Sequence, residues 1–64
     1  PEHIMRFQII VGNIGTTLDT NNVVEANSEF AFYVHLSREG LGRAGGEDVT
    51  LMADGEIDDE HHAN

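Results

Sequence analysis

A single segment, Val23 to about Arg38, has helical periodicity, and the residues on both sides of it alternate like strands. This constrains the fold more than any other feature. Val23, Ala26, Phe30, Tyr33, Val34 and Ser37 recur at steps of three and four and fall on one stripe. A lone helix with one such stripe must bury it against another element, and the only other elements on offer are strands. Asp19-Thr20-Asn21-Asn22 supplies side chains that cap a helix start. Gly40 sits where a left-handed C-terminal residue belongs, and Arg38 lies in the last turn, where a cation suits the helix dipole.

Before the helix, Ile4–Val11 alternates. Met5, Phe7, Ile9 and Val11 form a fully apolar face, and Ile4, Arg6, Gln8 and Ile10 a mixed one. Gly12-Asn13-Ile14-Gly15 reads as a turn, and Thr16–Asp19 as a short return strand with Leu18 inward. After the helix, Asp48–Ala53 alternates through Val49, Leu51 and Ala53. Asp54-Gly55 is a strong hairpin signal, and a two-residue turn sets Ile57 opposite Met52 on a return strand Glu56–Asp59. The predicted fold is α+β, a small mostly antiparallel sheet in β-β-α-β-β order with one amphipathic helix on one face. Residues 1–64 form one domain, with 1–3 and 59–64 expected to fray.

A 64-residue domain buries only about 60 % of its unfolded surface and is marginal alone. Small domains lean on disulfides, metals or partner subunits. The chain has no cysteine, which leaves self-association as the expected support. Two surfaces are candidates for it. Phe32 and Leu36 project away from the helical stripe and are neighbours at i, i+4. Ile10, Met52 and Ile57 lie on the sheet face away from the helix.

Twelve acidic residues face three arginines and no lysine, for a net charge of −9. Direct nucleic-acid binding needs clustered cations and is not expected. The acidity fits three explanations: solubility, a high-salt origin in which self-repulsion is screened, and mimicry of DNA's phosphate array to block a nucleic-acid-binding protein. No apolar run is long enough for a membrane span. A cytoplasmic protein is the expectation.

The chemistry on offer is sparse. Gly40, Gly42, Gly45 and Gly46 cluster around Arg43. A phosphate loop follows a strand and precedes a helix; this one follows the helix and precedes a strand. It therefore reads as a connector, and no cofactor is expected. His3, His35, His61 and His62 are too scattered to define a metal-ligand set. Ser28 and Ser37 do not sit on a nucleophile elbow. No catalytic residue is assigned, and a non-enzymatic role through protein–protein contact is expected.

Three phrases carry a resemblance: IIVGNIGTTLD at Ile9–Asp19, GRAGGEDVTL at Gly42–Leu51 and DGEI at Asp54–Ile57. Together they resemble a group of very short bacteriophage and bacterial proteins with V-G-N-I-G-T and G-R-A-A-G-E-x-V-T-L phrases. Here Ala44-Gly45-Gly46 replaces their Ala-Ala-Gly. That group has no assigned activity, so the resemblance implies a phage-like setting and no site residues.

Overall fold

A computed structural model describes residues 3–63. The chain runs β1 Phe7–Val11, β2 Gly15–Thr20, α1 Val23–Glu39, a single 3-10 turn at Gly42–Ala44, β3 Val49–Ala53 and β4 Glu56–His61. The fold is α+β in the predicted β-β-α-β-β order. The four strands form one sheet in the order β2-β1-β3-β4, with every neighbouring pair antiparallel. Two hairpins thus lie side by side with their first strands in the centre. Helix α1 links β2 to β3 and packs across the central strands β1 and β3.

The central pair explains the core. Phe7↔Ala53, Ile9↔Leu51 and Val11↔Val49 are cross-strand partners. Phe7, Ile9, Val11, Val49 and Leu51 are all buried. Alternation sends these odd-numbered residues to the face beneath α1, where apolar cross-strand pairs stabilise the sheet. Leu18 and Ile14 pack on the same cluster from the β1–β2 hairpin. Met5 does not extend this face as predicted: it precedes β1 and is 46 % exposed. The reason lies in β3, which ends at the Asp54-Gly55 turn. Asp54 N–H donates to Arg6 O at 2.8 Å, and nothing beyond it can pair with Met5.

On α1, Ala26 and Ser37 are buried, and Phe30, Tyr33 and Val34 pack on the core from partly buried positions. Val23, predicted at the head of the stripe, is 50 % exposed. Leu36 needs a correction: it also packs on the core instead of pairing with Phe32 in an outward patch. The 3-10 turn packs on α1 and adds buried Ala44, which widens the covered arc of the helix near its end. Asn22 caps the start by accepting the Glu25 N–H at 3.0 Å, a bond worth about 1 kcal/mol.

The second hairpin turns at Asp54 and Gly55, with φ of 50° and 79°, the two left-handed positions of a type I′ turn. Met52 faces Ile57 as predicted. The expected end of β4 at Asp59 is too early. Thr50 pairs with Glu60 and Val49 with His61, and Ala63 N–H donates to Asp48 Oδ1 at 2.9 Å. Residues 59–61 are therefore a strand, not a frayed end. Ladder bonds use the backbone, and side-chain charge does not prevent them while the acids face water. Of the other predicted frayed ends, residues 1, 2 and 64 lie outside the described residues.

The glycine-rich connector ends α1 and returns the chain to β3. Gly40 takes φ 69° and donates to Ser37 O. Gly45 is needed for a different reason. A Cβ there would sit 2.5 Å from the Gly40 carbonyl carbon and 2.8 Å from Leu41 N, both backbone atoms. Gly40→Ala, with open space around it, should destabilise by about 1 kcal/mol through its backbone angle. Gly45→Ala forces the connector apart and should cost more, about 1–3 kcal/mol. Urea denaturation of the two variants checks the order; equal losses would mean that the connector is not this tightly folded.

Candidate functional site

The helix covers one face of the sheet, and the even-numbered residues of β1 and β3 occupy the other. Gln8 and Ile10 come from β1, Thr50 and Met52 from β3, Ile57 and Glu60 from β4, and Thr16 and Asp19 from β2. Ile57 lies directly opposite Met52, and Ile10 is one diagonal step away, opposite Thr50. The three predicted residues Ile10, Met52 and Ile57 therefore form a diagonal line across three strands. Ile57 is 62 % exposed, Ile10 is at the edge of exposure, and Met52 is half-buried.

The two ends of this face differ in charge. On the β2 side, Arg6 Nη2 reaches Asp19 Oδ1 at 2.5 Å, and Gln8 Nε2 donates to Asp19 Oδ2 at 3.3 Å. Arg6, and then Gln8, hold the Asp19 carboxyl below the ordinary carboxylate range. On the β4 side Glu60 shares this face with Ile57, on a strand that carries four acids in six residues, Glu56, Asp58, Asp59 and Glu60.

The other predicted surface is divided. Phe32 is 52 % exposed on the outer side of α1, and its ring meets Tyr33 edge-on, with centroids 5.5 Å apart. Leu36 belongs to the core flank. Val24, more exposed than Phe32, escaped the sequence reading. It precedes Phe32 by eight residues, so helical spacing alone could have shown that the two share a side.

The glycine connector turns much of its backbone in on itself. Five of its N–H groups, from Gly40, Leu41, Gly45, Gly46 and Glu47, donate to the carbonyls of Ser37, Leu36, Gly42, Ser37 and Ala44. Gly42 and Gly46 also take positive φ, and Arg43 points to solvent. Ser37 Oγ, buried, donates to Glu47 O at 2.6 Å. Among the described residues no pocket is enclosed, and no set of three or more histidines and carboxylates is placed to hold a metal ion. No helix among them is long and apolar enough to cross a membrane.

Two histidines, His3 and His62, instead pair with acids. His3 meets Asp54, whose carboxylate is held below its ordinary range first by the Arg6 N–H and then by His3. His62 Nε2 lies 3.2 Å from Glu60 and its Nδ1 3.6 Å from Asp48. Glu60 and then Asp48 raise the His62 pKa, while the Ala63 N–H and His62 lower that of Asp48.

No family model matches the chain, and neither a curated protein nor a solved structure matches it.

The ion pairs at the chain's ends predict a pH dependence. The raised His62 value stabilises the folded state fully below about pH 6.5 and ceases to do so as pH climbs through the folded value. The lowered values of Asp19, Asp48 and Asp54 stabilise above about pH 4, and that contribution is lost as pH falls through the folded values. All four groups are at the surface, so the effects are small. The melting temperature should peak between these limits, and His62→Asn should flatten the fall that begins above about pH 6.5. An unchanged alkaline limb in that variant would exclude the His62 pairs as its cause.

Proposed function

We propose that the protein is a small, acidic, non-enzymatic module of phage-like and cytoplasmic setting that self-associates and acts by contacting another protein through the open face of its sheet. The observation that carries this reading is the diagonal Ile10–Met52–Ile57, held on the face that α1 does not cover. Burying one large aliphatic side chain contributes about 1.5–3 kcal/mol at most. Three in a line therefore form a usable contact centre, and the polar Gln8, Thr50 and Thr16 around them form a rim of the usual interface kind. Dependence on a second copy is supported by size: seven buried apolar residues make a thin core for a free-standing domain.

A second reading is an acidic DNA mimic that blocks a nucleic-acid-binding protein. The acids of β4 favour it. Ile57, exposed in their midst, favours the contact module.

Salt separates the two. The Debye length falls from about 30 Å at 0.01 M to about 3 Å at 1 M. Sedimentation equilibrium should show association that strengthens with sodium chloride as the −9 charges are screened. A photocrosslinker replacing Ile57 should capture a partner in high salt as well as in low. Capture lost on raising salt would favour the mimic, because charge-on-charge contacts are screened and apolar burial is not. A monomer at every salt and protein concentration would refute self-association.

A further inference from the structure

The sheet has two edges, and they are finished differently. The β4 edge is closed to pairing in two ways. Its four acids repel another strand, and the Glu60 N–H is already taken by Asp59 Oδ1 at 2.8 Å. Charged edges of this kind are a common protection against strand addition.

The β2 edge has neither protection. The β1–β3 ladder is bounded by Gly12 N–H to Asp48 O and Asp54 N–H to Arg6 O, so the even-numbered residues of β1 bond to β3. Phe7, Ile9 and Val11 therefore turn their backbone groups toward β2, where Thr20, Leu18 and Gly15 face them. By the same alternation, the backbone of Asp19, opposite Gln8, points outward; past Leu18 the bulge at Thr16–Thr17 interrupts the alternation. The Thr17 hydroxyl turns inward, to Ile9 O. Asp19 is the one charge on β2, and Arg6 matches it at 2.5 Å.

We propose that two copies of this chain join through their β2 edges, antiparallel about a two-fold axis, to form one continuous eight-stranded sheet. The proposal rests on the self-association reading and says where the second copy sits. A molecule of charge −9 can meet itself only where its charge is locally cancelled, and the Arg6–Asp19 pair does this at β2. A two-fold contact is self-complementary, as open edge donors and acceptors require. Setting Asp19 of each copy against the Thr16–Thr17 segment of the other keeps the two carboxylates apart. The two acidic β4 strands then stand at opposite ends, seven strand spacings or about 34 Å apart. That is about four Debye lengths at 0.15 M, so their repulsion is screened. The axis is perpendicular to the sheet, so both open faces lie on one side and the Ile10–Met52–Ile57 line is doubled.

The chain is short enough for total chemical synthesis, which permits a backbone test. N-methylation of Asp19 removes the outward N–H and leaves side chains, net charge and the β1 ladder unchanged. Sedimentation in high salt should show association at least about tenfold weaker than in the parent. In the parent, exchange of the Asp19 amide should slow as protein concentration rises. If the N-methyl variant associates as strongly as the parent, the β2 contact is wrong while self-association stands; if the parent itself stays monomeric, both are wrong. Because the chain has no cysteine, a second measurement is available should the synthetic variant fold poorly. Spin labels attached to Thr16→Cys, an exposed β2 position, should lie closer together between copies than labels attached to Glu60→Cys at the far edges, and an equal or longer distance would overturn the proposal.

Discussion

The hydrogen bond from Ser37 Oγ to the Glu47 carbonyl, 2.6 Å long, joins the two halves of the molecule. Ser37 is buried near the end of α1, and Glu47 is the second residue before β3. The Ser37 carbonyl accepts the N–H groups of Gly40 and Gly46 as well. The Glu47 side chain reaches the other way, accepting the Asn13 N–H in the β1–β2 turn at 2.8 Å. Helix, connector and first hairpin therefore meet at Ser37 and Glu47, at the point where β3 enters the sheet. A buried hydroxyl or carbonyl left without a partner costs about 1–3 kcal/mol, a large share of the stability of so small a domain. Gly12 belongs to the same arrangement, because a Cβ on it would collide with the Glu47 side chain.

Much of this fold was legible in the sequence because its signals are local. The Asn22 cap, the left-handed Gly40, the Asp54-Gly55 turn and the alternation of β1 and β3 each depend on neighbouring residues, and each is where it was expected. What escaped depends on distant parts of the chain. Ser37 was placed on the buried stripe by spacing, but its bond to Glu47 spans ten residues and has no periodic signature. Leu36 packs against the core from a partly buried position, which helical spacing alone does not show. The last residues of β4 are polar and read as a tail, yet the ladder to Val49 and Thr50 orders them. Gly45 looked like the other loop glycines, and only the approach of the Gly40 carbonyl shows why a side chain cannot stand there.

The candidate contact surface was half legible for the same reason. Ile10, Met52 and Ile57 share a face through strand alternation and a two-residue turn, both readable from the chain. Phe32 and Leu36 were paired by helical spacing, which carries no information on what else packs against the helix. The turns and connector, Gly12–Ile14, Gly42–Glu47 and Asp54-Gly55, are the places where backbone geometry restricts residue choice most. The acids follow a different logic. Seven of the twelve lie on the outer strand β4 and along α1, and no acid is among the buried residues described, so the sheet assembles without burying charge.

Added to the β1–β3 ladder, Ser37 and Glu47 tie α1 and the β1–β2 turn to the segment that enters β3, and the stability of the whole domain depends on that tie. Residue-resolved amide hydrogen exchange of Ser37→Ala against the parent tests it most directly. A global loss of about 1–3 kcal/mol is expected, with Gly46, Glu47 and Asn13 losing protection together although they lie on both sides of the helix. A variant within about 0.5 kcal/mol of the parent, with Gly46 and Asn13 still protected, would contradict it.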